Sequence, residues 1–217
     1  MIDAKVADRL LKETSLLVES LTGPMGYWID SGTLLGAVRD RSINIYDHDI
    51  DVRILPGRLP EKKMKRLVLG LWEIGFRAIV QNWGKRAELI CVHPDKVMLD
   101  LKFAFEDGNL LWVYCWPQPA SLDTPRVHCY PIRFFENLGV MNFLGREYPV
   151  PMPVEEYLEF HYGPQWREFK KRPEQAEETD LSWDYMMSPP CAMSLEQLAA
   201  KREEFGSTQE PSSLETK

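Results

Sequence analysis

The segment Trp28-Ile29-Asp30-Ser31-Gly32-Thr33-Leu34-Leu35-Gly36 joins an apolar run to a turn and the start of a helix. The apolar run predicts a buried strand, and Thr33 to Asp40 predicts a short helix. Gly32 lets the backbone turn tightly. The free N–H groups of a first helical turn attract anions. Ser31 or Thr33 could therefore donate a hydroxyl to a phosphate oxygen, although Ser and Thr here more often act as plain helix caps.

A second segment, Asp47-His48-Asp49-Ile50-Asp51, lies within a predicted strand from Ile43 to Leu55. Side chains alternate along a strand, so Asp47, Asp49 and Asp51 should project from one side. Mg²⁺ is typically held by one or two carboxylates together with substrate phosphates. A solvated edge strand is the alternative, but the apolar residues at the intervening positions indicate that the other face is buried. The segment therefore predicts a Mg²⁺ site.

A third segment, Met98-Leu99-Asp100-Leu101-Lys102, lies in a predicted strand from Val97 to Phe105. Asp100 has apolar neighbours, and a buried carboxylate needs a partner. If this strand lies beside the second segment, Asp100 completes a three-carboxylate metal site. Two other roles stay open for Asp100, namely a general base towards an acceptor hydroxyl and an ion pair with a nearby Lys or Arg.

The rest of the chain mixes helices and strands. Helices are predicted over residues 3–21, 60–74 and 154–162, and further strands over 76–81, 87–92 and 110–116. Asp107-Gly108 is typical of a hairpin turn. Residues 121–150 give a weaker pattern of short strands.

Length and composition restrict the kind of protein. The chain has 217 residues, enough for one sizeable domain, and a net charge of -7 that disfavours nucleic acid as a partner. The four cysteines show no zinc-ligand spacing and predict free thiols. The sequence shows neither a secretory signal nor a transmembrane segment, which predicts a cytoplasmic protein. We expect one domain over residues 1–170 and a polar acidic extension over 171–217, with the last dozen residues disordered.

The three segments together resemble the LicD family of phosphotransferases, which includes phosphocholine transferases and fukutin-related sugar-phosphate transferases. The resemblance rests on residues 28–39 and 46–51, and on a closing segment that contains Val150-Pro151-Met152-Pro153, Glu156-Tyr157-Leu158 and Tyr162-Gly163. It covers roughly Tyr27 to Trp166. It implies an α+β fold, with a nucleotidyltransferase-like mixed β-sheet flanked by helices and followed by a C-terminal extension.

The resemblance also implies roles for individual residues. Gly32 and Thr33, with Ser31 beside them, would hold donor phosphates. Asp49, Asp51 and Asp100 would hold Mg²⁺, with Mn²⁺ as a substitute, and would form the catalytic centre. Arg39 and Lys102 are candidate helpers for phosphate charge, although Arg39 is equally well explained as a solvated cation at a helix end. The sequence departs from the family pattern at His48, a position that is frequently acidic, and has Tyr46 just before the aspartates.

The implied reaction moves a phospho-alcohol group from a CDP-linked donor to a hydroxyl-bearing acceptor such as a glycan. Two alternatives remain at this point. One is direct nucleotidyl transfer, from another nucleotide donor, onto a small molecule or protein. The other is a non-catalytic binding module that keeps the fold. Many relatives carry membrane anchors or are secretory, and this sequence shows neither feature.

Overall fold

A computed structural model describes residues 2–44, 47, 49–55, 59, 61–81, 88–114, 126–168 and 192–194. Predictions for Tyr46, His48, Cys115 and Cys191, and for nearly all of the 171–217 extension, lie outside these residues. Cys91 and Cys129 are free and buried.

Four α-helices belong to the described part of the chain. They are α1 (Ala4–Thr22), α2 (Ser31–Leu35), α3 (Glu61–Ile74) and α4 (Val154–Tyr162). Helix α1 begins where the Asp3 carboxylate accepts the backbone N–H groups of Lys5 and Val6, at 2.9 and 3.2 Å. It ends at Gly23, whose φ of +88° suits a residue without a side chain.

Ten strands complete the described structure. They are β1 (Tyr27–Ile29), β2 (Asp49–Ile54), β3 (Arg77–Gln81), β4 (Glu88–Val92), β5 (Met98–Asp107), β6 (Leu110–Tyr114), β7 (Arg126–Pro131), β8 (Gly139–Phe143), β9 (Arg146–Val150) and β10 (Ala192–Ser194). Eight of them form one mixed sheet in the order β1-β2-β5-β6-β7-β10, with the β3–β4 pair joined to β5 through β4. Strands β8 and β9 form a separate hairpin. The predicted α+β fold with a mixed sheet and flanking helices is confirmed.

The sheet has one apolar face and one polar face around β2. Ile50, Val52 and Ile54 are fully buried on the apolar face, against the core that contains α1 and α3. The intervening residues of β2, Asp49, Asp51 and Arg53, lie on the opposite face. This alternation was predicted from the sequence, and it separates the charged side chains from the core.

An aromatic cluster covers part of the polar face. Trp28 of β1 pairs in register with Arg53, and its ring lies 5.0 Å from that of Phe135. Tyr157 of α4 packs on Phe135 and on Tyr130 of β7. This packing buries the Arg53 end of β2, whereas Asp47 and Asp49 at the other end stay partly exposed.

Two predicted elements have different bounds in the structure. Strand β2 begins at Asp49, not at Ile43. Before the strand, the Asp47 N–H donates to the Asn44 carbonyl at 3.1 Å. The helix expected over residues 33–40 begins earlier, at Ser31, and its second half, Gly36–Asp40, is a π-helical turn.

The β5–β6 hairpin turns at Gly108 and Asn109, because Asp107 pairs with Leu110. Strand β10, from the sequence region predicted as an extension, pairs with β7 and so adds to the main sheet. Within the part of the chain that the structure describes, no helix combines the length and the hydropathy needed to cross a membrane.

Candidate active site

Parallel pairing of β2 and β5 brings the second and third sequence segments together. Asp51 lies directly opposite Asp100, and Arg53 lies opposite Lys102. Residues opposite each other on paired strands project from the same face. The sequence-based condition that the two carboxylate-bearing strands be neighbours is therefore met.

Three carboxylates converge at the start of β2. Oxygen atoms of Asp47, Asp49 and Asp51 all lie within 4.8 Å of one another. Asp51 is buried, and the other two are partly exposed. Asp47 joins the group from the segment before the strand, so it reaches the position that the sequence predicted without being part of the strand.

Gly32 makes room for this cluster. A Cβ atom at Gly32 would lie 1.9 Å from the Asp47 carboxylate oxygen Oδ2 and 3.5 Å from Asp51 Oδ2. The absent side chain therefore lets the first turn of α2 approach the carboxylates. The sequence predicted a close approach of Gly32 to a ligand, and in this structure the groups that it approaches are the candidate ligand holders.

Thr33 and Asp51 exchange two hydrogen bonds, in which the backbone N–H of each residue donates to the side chain of the other. The Thr33 N–H donates to Asp51 Oδ2 at 3.2 Å, and the Thr33 hydroxyl oxygen accepts the Asp51 N–H at 2.8 Å. The N–H that the sequence suggested for a phosphate thus donates to a carboxylate of the site. Thr33 fixes where that carboxylate lies.

Asp100 has one engaged and one unengaged oxygen. Its Oδ2 atom lies 2.8 Å from Lys102 Nζ and 3.4 Å from Arg53 Nη2. Its Oδ1 atom is buried and has no hydrogen-bond partner among the described residues. The ion pair that the sequence left open for Asp100 is present, while one oxygen remains for a cation or a proton.

Arg53 is the buried cation of the site, with a side chain only 3% exposed. Its Nε atom lies 3.0 Å from Asp30 Oδ2, and its Nη2 atom donates to the Ser31 hydroxyl oxygen at 3.1 Å. Its Nη1 atom donates to the backbone carbonyl of Asp100 at 3.0 Å. The guanidinium thus connects the Asp30–Ser31 turn, β2 and β5.

The acids have unequal proton affinities. Burial raises the pKa of Asp49 well above its ordinary value, and the charges of Asp47 and Asp100 add to the increase. Burial and the Asp49 charge likewise raise the pKa of Asp51, and Arg53 offsets only part of this. Burial would also raise the pKa of Asp100, but Lys102 and Arg53 outweigh it and hold the pKa below its ordinary value.

These residues fit a hard divalent cation. Mg²⁺ and Mn²⁺ prefer carboxylate oxygens, and Asp47, Asp49 and Asp51 present such atoms around one point. Their crowding disfavours ionisation of Asp49 and Asp51, and a bound cation would reverse that effect while releasing protons. The unpartnered Asp100 Oδ1 atom lies on the same face, one strand away.

Helix α4 contacts the site through Tyr157, which binds Asp30. The Tyr157 hydroxyl donates to Asp30 Oδ1, so both oxygens of Asp30 are engaged. His161, one turn further along, is fully buried, and its Nδ1 atom lies 2.8 Å from the Tyr130 hydroxyl. Burial lowers the pKa of His161 to about 4, so the ring is neutral at pH 7.

Not every residue predicted for phosphate binding meets the acids. Lys102 lies at the site, and Ser31 reaches it through Arg53. Arg39 instead makes a two-point contact with its neighbour Asp40, with N–O distances of 2.8 and 2.9 Å. The phosphate-binding roles of these residues remain predictions.

Sequence reasoning assigned no role to Asp30, Arg53 or Tyr157. A charged residue two positions after Asp51, on the acid-bearing face of a half-buried strand, was a usable signal for Arg53. Tyr157 lies in the closing segment that resembles the family, but the sequence could not indicate its contact, because its partner Asp30 lies 127 residues away along the chain.

An open pocket of about 490 Å³ lies at one end of the sheet. Its Met98 residue pairs with Asp49, and its Val92 residue pairs with Met98, so both side chains lie on the acid-bearing face. The pocket is lined by Arg77, Val92, His93, Pro94, Lys96 and Met98. It offers apolar surface and basic side chains beside the acidic cluster.

A mixed sheet with paired acidic strands and a glycine turn is the arrangement expected of a nucleotidyltransferase-type domain. The family model described as "LicD/FKTN/FKRP, nucleotidyltransferase domain" matches residues 25–152. The chain belongs to this LicD/FKTN/FKRP family, and the family predicted from the sequence is confirmed.

Curated relatives include ribitol-5-phosphate transferase FKTN from Homo sapiens, 26% identical over 189 residues that cover 86% of this chain and 36% of that protein. The Mus musculus protein of the same name is 26% identical over 194 residues, or 87% and 38% of the two chains. The chain therefore spans little more than a third of the curated relatives' length. A solved structure of the lincosamide antibiotic adenylyltransferase LnuA with lincomycin bound is 17% identical, with a TM-score of 0.45 over 82% of this chain and 92% of that one.

Proposed function

We propose that this protein is a Mg²⁺-dependent transferase that moves a phospho-alcohol group from a CDP-linked donor to an acceptor hydroxyl. The observation that carries the proposal is the convergence of Asp47, Asp49 and Asp51 beside Asp100, within a LicD/FKTN/FKRP domain. The activity for which the FKTN relatives are named, ribitol-5-phosphate transfer, supports a sugar-alcohol phosphate as the transferred group.

The proposed roles follow from the geometry. Asp47, Asp49 and Asp51 would hold the cation, which supplies positive charge to neutralise the donor's diphosphate. Asp100 would contribute its unpartnered Oδ1 atom, either as a further cation ligand or as the acceptor of the hydroxyl proton. Lys102 keeps the other oxygen of Asp100 engaged, so the carboxylate presents a single oxygen to the reacting groups.

In the reaction, the acceptor oxygen attacks the phosphorus atom that bears the alcohol. The bond from that phosphorus to the bridging oxygen breaks, and CMP leaves with the electron pair. The acceptor proton passes to a base, for which Asp100 Oδ1 is the candidate. Direct nucleotidyl transfer from CTP or ATP would release pyrophosphate, so the leaving group distinguishes the two reactions.

The first test measures binding and product release. Thermal unfolding is recorded with Mg²⁺ and with CDP-ribitol, CDP-choline, CTP or ATP, because a ligand of the folded state raises the unfolding temperature. CMP and pyrophosphate are then assayed with the binding donor and a panel of hydroxyl acceptors. The proposal predicts that a CDP-linked donor stabilises the protein only with Mg²⁺, and that CMP is released.

Asp49→Asn is the variant that removes one carboxylate charge, and Glu147→Gln, on an exposed position of β9, is its matched control. We expect the first to lose Mg²⁺-dependent binding and CMP release, and the second to keep both. Pyrophosphate release without CMP would establish nucleotidyl transfer instead. Unchanged behaviour of Asp49→Asn would remove the acidic cluster from the mechanism.

A further inference from the structure

The buried guanidinium of Arg53 occupies a central place in the candidate site. Its contacts reach three segments that are distant in sequence, namely the turn after β1, β2 itself and β5. A cation that is 3% exposed loses its hydration, and only close acidic partners can offset that cost. Arg53 has such partners in Asp30, Asp51 and Asp100, at 3.0, 3.5 and 3.4 Å.

The contacts divide the carboxylate of Asp100 into two unlike oxygens. Oδ2 is engaged by Lys102 and Arg53, whereas Oδ1 is buried without a hydrogen-bond partner among the described residues. The Arg53 Nη1 donor also holds the backbone carbonyl of Asp100. The orientation of Asp100 is therefore fixed at both its main chain and its side chain by the same guanidinium.

Arg53 also holds Ser31 in an unfavourable conformation. Ser31 has a φ of +43°, in the left-handed region that non-glycine residues seldom adopt. Such a conformation persists only when surrounding contacts impose it. The Ser31 hydroxyl oxygen accepts from Arg53 Nη2 at 3.1 Å, and the hydroxyl donates to Asp30 Oδ2 at 3.5 Å.

The guanidinium is itself anchored from α4. One oxygen of Asp30 forms an ion pair with the Arg53 guanidinium, at 3.0 Å from Nε, and the other accepts the Tyr157 hydroxyl. Tyr157 is fully buried in the aromatic cluster. This anchor holds the guanidinium in one orientation, in which its separate N–H donors face different partners.

We propose that Arg53 is a positioning residue of the transfer reaction: it holds the Asp100 carboxylate and the Ser31 hydroxyl in the geometry that the reacting phosphate and acceptor require. The inference rests on the proposed function. Arg53 acts through these two residues and has no contact of its own with the substrate. A lysine at this position keeps the charge but cannot donate in several fixed directions at once.

The test compares Arg53→Lys with Arg133→Lys, a control in which an exposed arginine paired with Glu156 is changed in the same way. Donor KM, kcat for CMP release and Mn²⁺ affinity are measured for each folded protein. A misplacement of about 1 Å lowers turnover on the order of 100-fold, so we expect about that loss in kcat for Arg53→Lys. Donor KM and Mn²⁺ affinity should change little, and the control should match the wild type.

Chemical rescue provides a second measurement. In Arg53→Ala, guanidinium ion at concentrations well below those that denature proteins should restore part of the lost turnover, and sodium chloride at equal ionic strength should not. If Arg53→Ala does not fold, Arg53→Lys alone decides the matter.

Two results would overturn the inference while leaving the transferase proposal intact. One is an Arg53→Lys variant whose kcat equals that of the wild type. The other is a parallel loss of turnover and Mn²⁺ affinity, which would make Arg53 a charge support for the metal-holding acids. If the wild-type protein releases no CMP from any CDP-linked donor, the proposed function fails and the inference fails with it.

Discussion

At the scale of single residues, each position from Asp30 to Thr33 lies against a particular side chain of the acid-bearing face. Asp30 and Ser31 contact Arg53, Gly32 leaves space for Asp47, and Thr33 exchanges two hydrogen bonds with Asp51. Each substitution in this turn should therefore disturb a particular partner. Gly32 gives the clearest test, because any side chain at this position would overlap the Asp47 carboxylate.

Gly32→Ala should weaken divalent-cation binding. The added methyl group would lie 1.9 Å from Asp47 Oδ2, a distance that forces the carboxylate away from its present position. We expect Mn²⁺ affinity to fall by at least about tenfold, comparable to the loss of supporting contacts at other metal sites. Isothermal titration with Mn²⁺ measures this directly.

Gly108→Ala is the control for general destabilisation. Gly108 has a φ of +56° at the tip of the β5–β6 hairpin, where a Cβ atom would meet nothing within 4 Å. This substitution should lower stability through backbone strain while leaving Mn²⁺ affinity unchanged. Equal Mn²⁺ affinities for Gly32→Ala and the wild type would show that Asp47 is not needed at its observed position.

The sequence predicted the acidic residues better than the residues that hold them. Alternation along a strand singled out Asp49 and Asp51, and the sequence left the neighbouring of the Asp100 strand as a condition that the β2–β5 pairing meets. Arg53 was visible as a charge on that face, but its partners Asp30, Ser31 and Asp100 come from segments whose proximity only the folded chain reveals. Side-chain partners far apart in sequence leave no periodic signal.

At the scale of elements, helix α4 joins the aromatic cluster to the site. Its Tyr157 and His161 lie one turn apart on the buried face. The position of α4 was predicted from Pro153 and Gly163, with bounds that match the structure. Its function as a support for Asp30 was not predicted, since no residue of α4 has the pattern of a catalytic motif.

His161 should make folding stability depend on pH. Its pKa is about 4 in the folded protein and about 6.5 in an unfolded chain. Between these values the unfolded state binds the proton more readily, so the free energy of unfolding decreases as pH falls from 7 towards 4. Above pH 6.5 His161 is neutral in both states. Between pH 6.5 and pH 4, protonation of the unfolded state lowers the free energy of unfolding by up to about 3 kcal/mol.

Urea unfolding at pH 7.5 and pH 5 tests this expectation. His161→Gln cannot take up the proton and should show a smaller decrease in stability between the two pH values than the wild type. Tyr130→Phe removes the hydroxyl that contacts His161 Nδ1 but keeps the imidazole, so it should retain the wild-type pH dependence. Identical pH dependence in His161→Gln and the wild type would contradict the assignment.

At the scale of the whole molecule, the folded unit is larger than the segment matched by the family model. That match covers residues 25–152 and so excludes α1 and α4. Helix α1 nevertheless buries seven residues, among them Leu10, Leu11 and Val18 with no exposed surface. Each such side chain contributes roughly 1.5–3 kcal/mol through burial, whereas a whole domain is stable by only about 5–15 kcal/mol.

A fragment of residues 25–152 should therefore fail to fold, while a fragment of residues 2–168 should unfold cooperatively. Circular dichroism during heating, with and without Mn²⁺, distinguishes the two results. Cooperative melting of the shorter fragment would mean that α1 and α4 are dispensable for the sheet, and Mn²⁺ binding by it would mean that the acidic cluster forms without Tyr157.

The parallel arrangement of β2 and β5 has a consequence for how the protein reaches its native state. Between these strands the chain passes through α3, β3 and β4, and Arg53 and Asp100 are 47 residues apart along the chain. Closing so long a loop is slow compared with forming a helix or a hairpin. During refolding, far-ultraviolet signals should therefore recover before CMP release, because the proposed reaction needs Asp100 of β5 beside Asp51 of β2.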